Sequence, residues 1–345
     1  MHLVDLRSDT VTQPTEAMRE AMRRAEVGDD QWSEDPTVRR LEEMAAERLG
    51  KEAALLTPSG TMANLAAVLS HTERGDEVIV EARAHTYLNE AGGMSVLGGV
   101  IARPVAGERG TISAAQVEAV VRGSNVHFAP TRLLCLENTH NRSGGAVMTP
   151  AQTAEVAGAA HRLGLRVHLD GARIFNAAIA LGVDPVALTR DVDSVMFCVS
   201  KGLSAPVGSL LAGEAVFIAR ARHARQMLGG AMRQAGVIAS AGIVALESMV
   251  DRLAEDHRRA RTLAQQLAEV PGVRVEPAEV QTNILMLEVD DAASVVERLA
   301  AQGVLAGAAD RTTIRLVTHR HIGDADVERA VEIFHQVMPI AAGKF

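Results

Sequence analysis

Two residues with complementary chemistry stand at the ends of two apolar runs. Arg166-Val167-His168-Leu169 leads into Asp170, and Ser194-Val195-Met196-Phe197-Cys198-Val199 delivers Ser200 and Lys201. Short β-rich runs separated by a helix-length segment read as strands of a mostly parallel sheet. In such sheets ligands bind beyond the carboxyl ends of the strands, which is where these polar residues fall. Gly171, Gly202 and Gly208 let the backbone come close. An amine and an acid so placed suit pyridoxal phosphate, with the lysine taking the aldehyde carbon and the aspartate keeping the pyridine nitrogen protonated. The same pair could also be an ion pair at a sheet edge.

Other polar groups fall at element ends. Pro58-Ser59-Gly60-Thr61-Met62-Ala63-Asn64 is a small, hydroxyl-bearing turn that opens a helix, and the unpaired N–H groups there suit a phosphate or simply a cap. His85 follows a strand at 77–81, where a histidine is either structural or flat against a cofactor ring. Glu137-Asn138-Thr139-His140-Asn141 forms a second polar cluster at a strand end. Arg315 sits inside the apolar run Thr313-Ile314-Arg315-Leu316-Val317 and calls for an anion, internal or bound. His319 and His321 lack nearby Cys or acidic ligands and read as surface histidines, so no metal site is expected. The glycines at 92–99 do not follow a strand in the dinucleotide pattern, which argues against a nicotinamide site.

These residues need a scaffold, and 345 residues with 47% hydrophobic content allow a large domain plus a smaller one. We expect an arm over 1–13, a large domain over 14–250 and a small α+β domain over 251–345. Only eight residues are aromatic (six Phe, Trp32 and Tyr87), so Ala, Leu, Val and Met must fill the core. A net charge of -8 with no basic stripe disfavours nucleic acid and anionic lipid. The absence of a leader-like or membrane-length apolar stretch implies a soluble cytoplasmic protein. Cys135 and Cys198, each in an apolar run, are expected to be buried, reduced thiols. Residues 28–35, with Trp32, form a polar loop that is either surface or site wall. A single helix is expected from 235 to 270, passing from one domain into the next. Beyond it, strands at 273–275, 284–289 and 313–317 alternate with helices at 292–302 and 324–338, before a frayed end at 341–345.

Taken together, LRSDTVTQP, the turn at 58–64, HFAPTRLLCLENTHN, HLDGARIFNA, SKGLSAPVGSLL and GGAMRQAG closely resemble the low-specificity L-threonine aldolases. The resemblance spans nearly the whole chain. It implies the pyridoxal-phosphate transferase fold type I, an α/β large domain with a mostly parallel seven-stranded sheet between helices and a small C-terminal α+β domain. It further implies a homotetramer built from dimers that share active sites, and cleavage of L-threonine or L-allo-threonine to glycine and acetaldehyde. By resemblance, Lys201 matches the cofactor lysine, Asp170 the partner of the pyridine nitrogen and Arg173 the residue beside the ring oxygen and substrate carboxylate. Gly60, Thr61 and Ser200 match the phosphate cup, and Arg233 resembles an arginine reaching the neighbouring subunit's phosphate. His85 looks like the ring-stacking histidine, Ser8 and Arg315 like carboxylate holders, and His127 like the histidine near the β-hydroxyl. Trp32 stands where familiar members have tyrosine, and Gln226 where some have lysine.

Retro-aldol cleavage requires a base for the β-hydroxyl proton, and His127 and His85 are the candidates. Competing readings are β-elimination or transamination on the same scaffold, or a cofactor-binding subunit that has become a sensor.

Overall fold

The computed structural model describes residues 2–338, so the end at 341–345 lies outside the described residues. Twelve strands are present among the described residues: β1 (Val4–Asp5), β2 (Ala53–Thr57), β3 (Glu77–Glu81), β4 (Ile101–Val105), β5 (Thr131–Glu137), β6 (Arg166–Asp170), β7 (Ser194–Cys198), β8 (Ser209–Gly213), β9 (Ile284–Glu288), β10 (Val304–Leu305), β11 (Gly307–Ala308) and β12 (Thr313–Val317). Seven of them form one sheet in the order β2-β8-β7-β6-β5-β3-β4. Within it β8 runs antiparallel to β2 and β7, and the remaining pairs are parallel. The central strands are buried on both faces, as continuous runs such as Leu133-Leu134-Cys135-Leu136 require when helices cover both sides. Pro104 lies in β4, at the sheet edge, where a missing N–H costs least.

Local chemistry sets the helix starts. Thr15, Asp35, Ser59 and Thr149 each accept a backbone N–H at the first turn of the helices Glu16–Arg24, Pro36–Leu49, Gly60–His71 and Pro150–Arg162. Gly208, at φ +118°, turns the chain into β8, which begins at Ser209.

Two elements differ from expectation. The helix anticipated over 235–270 is two helices, Gly236–Ser248 and Leu253–Leu267, separated by a turn in which the Leu253 N–H donates to Val250 O at 3.0 Å. The break lets the first piece pack on the helices Glu16–Arg24 and Pro36–Leu49 while the second packs on Asp324–Val337. The strand expected at 273–275 reduces to a single antiparallel bridge between Arg274 and Glu288. Gly272, at φ +84°, and the short helical turn Pro277–Glu279 leave no room for a longer ladder.

Beyond the large sheet, β11, β12 and β9 make a three-stranded antiparallel sheet. The N-terminal arm joins this part of the chain, because β1 pairs in parallel with β10 and buries Val4 and Leu6 in the same apolar cluster as Leu263, Leu285 and Phe334. His319 is buried and its Nε2 contacts Asp5 O at 2.8 Å, correcting the surface reading; it closes the polar backbone of the arm, whereas His321 is exposed. Cys135 and Cys198 are both free and buried. Among the described residues, no helix is long and apolar enough to cross a membrane.

Candidate active site

The carboxyl ends of the parallel strands converge on one cluster. Glu137, which ends β5, pairs in register with Asp170, which ends β6. Asp170 is buried; its Oδ1 accepts the Ala172 N–H at 3.0 Å, and its Oδ2 accepts from Asn64 Nδ2 at 2.9 Å. Asn64 lies one turn inside the helix that Ser59 caps, so that helix points its start at the cluster. At its first residue, Gly60, a side chain would come within 2.9 Å of Met196 Cε and 3.0 Å of Cys198 Sγ. Glycine lets the helix start sit so close to β7 without displacing these side chains, and the Gly60 and Thr61 N–H groups are orphans by position. Ser200 borders the same turn from the β7 side, its Oγ donating to Gly208 O at 3.3 Å.

Lys201 follows β7 and is half-buried. The chain has three lysines, Lys51, Lys201 and Lys344. Lys51 donates to Thr189 O at 2.7 Å and to Val192 O at 2.6 Å, at the amino end of β2. Lys201 is therefore the described lysine at the carboxyl ends, and its main-chain oxygen is held by Thr12 Oγ1 at 2.8 Å.

His85 comes from β3. Its N–H donates to Glu137 Oε2 at 2.6 Å, and its Nδ1 lies 2.9 Å from Glu90 Oε1. Ring or carboxylate atoms of His85, Glu90 and Asp170 lie within 4.8 Å of one another. The hydrogen bond to Glu90 raises the proton affinity of His85 above the ordinary histidine value, and burial beside Asp170 raises that of Glu90. Beneath them runs a directed chain. Asn64 Nδ2 donates to both carboxylates, so its Oδ1 accepts from His168 Nε2 at 3.0 Å, and His168 Nδ1 accepts from Ser194 Oγ at 2.9 Å. Ser194 Oγ in turn accepts from His71 Nε2 at 2.7 Å. Burial pulls His168 down to about 4 and His71 to about 3, so both are neutral donors in a chain that ends on the Asn64 amide oxygen.

Arg173 does not stand free. Its Nε and Nη2 donate to Asp9 at 2.7 and 2.6 Å, and both residues are buried. Asp9 is held below the usual carboxylate range by Arg173 and Lys201 despite its burial. Arg315, by contrast, donates to Asn141 Oδ1 at 2.9 Å and Arg7 O at 3.2 Å and forms no ion pair among the described residues. Burial and the nearby positive charges of Arg173 and Arg142 lower its pKa, so the spot is short of an anion. Beside it opens a cavity of about 280 Å³ lined in part by Asn89, Asn141, Arg142 and Arg315. Ser8 is half-buried nearby in sequence, and its Oγ accepts the Thr10 N–H at 3.2 Å.

Three expected site residues form no hydrogen bond with this cluster among the described residues, and one of them, His127, is remote from it. His127 is exposed in the loop before β5, at the amino end of the sheet, where Arg122 covers Phe128 and pairs with Glu77. With β5 rising about 3.3 Å per residue, it stands roughly 20 Å or more from the Asp170 level. Trp32 is 74% exposed, and Arg233 pairs with Asp29 at 3.0 Å on the same face. Gln226 accepts from Gln31 at 3.3 Å on that face.

The sequence reading did not single out Asp9, Asn64, Glu90 or His168. Asp9 could have been suspected, because a polar arm needs a partner; Glu90 sits in an unremarkable LNEAGG turn and carries no local signal.

Asp9→Asn removes the countercharge of a buried arginine and is expected to cost about 3–5 kcal/mol of stability. Because the pKa of Asp9 is depressed by folding, its contribution is full above the ordinary carboxylate pKa and lost as pH falls below it. Urea unfolding of both proteins across pH should therefore show a gap at pH 7 that closes in acid; a pH-independent gap would assign the cost to packing instead.

The fold and this cluster define a type I pyridoxal-phosphate scaffold. The sequence profile of the β-eliminating lyases matches residues 5–291. Low-specificity L-threonine aldolase 1 of Arabidopsis thaliana is 45% identical over 98% of this chain and 97% of its own length. The low specificity L-threonine aldolase of Escherichia coli K12 is 48% identical over 92% of this chain and 94% of its own length. The solved structure of Leishmania major threonine aldolase superposes with a TM-score of 0.83 at 18% identity, over 97% of this chain and 100% of that one. The chain belongs to the β-eliminating lyase family, in its low-specificity L-threonine aldolase branch.

Proposed function

We propose that this chain is a pyridoxal-phosphate-dependent aldolase that cleaves L-threonine, L-allo-threonine and related β-hydroxy-α-amino acids to glycine and an aldehyde. The observation that carries this reading is the convergence of Lys201, Asp170 and His85 beyond the carboxyl ends of β7, β6 and β3, with the anion-deficient Arg315 on the same side. The residues fit the cofactor: a half-buried amine, a buried acid and a helix start whose glycine leaves the turn open against β7. Lys201 would anchor it, Asp170 would hold the proton on its ring nitrogen, and Gly60, Thr61 and Ser200 would cradle its phosphate. When bound, the cofactor supplies the sink for the electrons of the broken Cα–Cβ bond.

The protein decides which bond breaks. Arg315 and Ser8 would hold the substrate carboxylate, with Arg173 stiffened by Asp9 alongside, and so fix the rotation of the substrate that selects the Cα–Cβ bond. Loss of CO2 or of the α-proton would need another rotation. Within the chain's own site the available base is His85; His127 serves only from a neighbouring copy.

The assembly is a homotetramer of two dimers that share sites, in which Arg233, Trp32 and His127 face the partner's site. Trp32 shapes the pocket for the β-substituent, and Gln226 removes a second cationic reach across the interface. Division of the chain into an arm over 1–13 and domains over 14–250 and 251–345 is supported by two apolar clusters, one about the large sheet and one in the C-terminal part on which Val4 and Leu6 of the arm dock. The protein works in the cytoplasm, where it supplies glycine.

Product analysis tests the reaction. Acetaldehyde and glycine from L-threonine support it, whereas pyruvate with ammonia, or pyridoxamine phosphate, would indicate elimination or transamination. Arg315→Lys is expected to raise KM for L-threonine about 10–100-fold with cofactor affinity unchanged, the worth of one charge-assisted bond of about 1.5–3 kcal/mol. An unchanged KM would remove Arg315 from the carboxylate site. His127→Ala should lower kcat far more than cofactor affinity; equal losses of both would make it structural.

A further inference from the structure

Glu90 lies just after the short helix His85–Leu88, with its side chain only 5% exposed. Acids are seldom so buried without a cation, yet the groups touching Glu90 are a histidine and an amide. Its Oε1 accepts from His85 Nδ1 at 2.9 Å and Asn64 Nδ2 at 2.8 Å. A proton on Nδ1 directed at Glu90 leaves the lone pair on Nε2, which has no hydrogen-bond partner among the described residues. The backbone of His85 is fixed independently by Glu137, so the ring has one hinge left, and Glu90 sets it.

We propose that Glu90 is the positioning residue of proton transfer at His85: it selects the Nδ1–H tautomer, aims Nε2 at the β-hydroxyl, and shares Asn64 with Asp170. This rests on the aldolase reading above. In the step, the O–H bond of the substrate breaks and its proton passes to Nε2. The freed pair forms the carbonyl bond of the aldehyde as the Cα–Cβ pair leaves, and the proton on His85 is then available to the carbon that lost its bond. The imidazolium formed is matched by Glu90, as a carboxylate matches the histidine of acyl-transfer triads.

Several charged or titratable groups also act on this pair. Asp170 at the end of β6 and Lys201 beyond β7 act on His85 with opposite sign. Glu137 and His140 stand at the end of β5, and neutral His168 lies beyond Asn64. Because Glu90 raises the proton affinity of His85, its removal should move the acid limb of activity to lower pH, where a weaker base is free of its proton.

The experiment uses holoenzyme with Glu90→Gln and Glu90→Ala, each alone and with His85→Ala. It reads kcat/KM for L-threonine against pH and the NMR titration of the His85 ring. Glu90→Gln keeps the acceptor oxygen and should lower plateau kcat/KM about 10-fold, and Glu90→Ala about 100-fold, within the range of base assistance. In both, the His85 titration and the acid limb move down together, cofactor affinity holds within about twofold, and the effect collapses to about twofold in the His85→Ala background. An unmoved limb and titration, or an equal loss in the His85→Ala background, would overturn the proposal as merely structural. If the wild-type enzyme gives no acetaldehyde, the aldolase reading fails by itself, and the NMR titration still decides whether Glu90 governs His85.

Discussion

Lys201→Ala is expected to lose nearly all turnover, on the order of 10⁴–10⁶-fold, the scale seen when a covalent catalyst is removed. Two physical losses combine. The amine is the atom that holds the cofactor's reactive carbon, and the other described lysine, Lys51, is bound to two main-chain oxygens at the far end of the sheet. No neighbour can therefore substitute. The variant should fold, because Lys201 is half-buried and its main-chain bond to Thr12 does not involve the side chain. The visible spectrum of protein mixed with cofactor reads the result directly: the wild-type band is lost in the variant. An unchanged band before substrate is added would contradict the assignment.

Asp170→Asn comes second. An opposite charge at contact raises the pKa of a cationic partner by about 1–3 units, each unit being about 1.4 kcal/mol. Losing it lets the ring nitrogen shed its proton at neutral pH and weakens the electron sink, so kcat should fall about 10–10³-fold. The loss should leave folding intact, since asparagine can still accept the Ala172 N–H or the Asn64 amide through its oxygen. Steady-state rates together with thermal unfolding separate the two. A variant that melts early while retaining full kcat per folded molecule would make Asp170 a structural acid.

The parts of this site that are legible in the sequence are those with a local signature. Lys201 and Asp170 each end an apolar run, Gly60 follows a capping serine, and Arg315 interrupts a strand, so each announces itself within a few residues. What stayed hidden is held by long-range pairing. Asp9 and Arg173 are 164 residues apart, and nothing near Arg173 shows that its fork is already filled by the arm. Glu90 meets His85 within one turn of chain, yet its meaning comes from Asn64, 26 residues upstream, and from Asp170 on another strand. His127 illustrates the reverse: its motif is distinctive, but the direction of β5 carries it to the opposite edge, so any role in this chemistry must cross to another copy. The split of the 235–270 helix was likewise decided by tertiary packing, since both halves have helical sequence and only their different partners require a turn.

The central claim is that Lys201, opposite Asp170, carries the cofactor. Borohydride reduction of holoenzyme followed by peptide mass spectrometry reads it most directly. The account predicts a phosphopyridoxyl group on the peptide containing Lys201 and none on that containing Lys51 or Lys344. A label on either of those peptides, or no label on protein that turns over L-threonine, would contradict it.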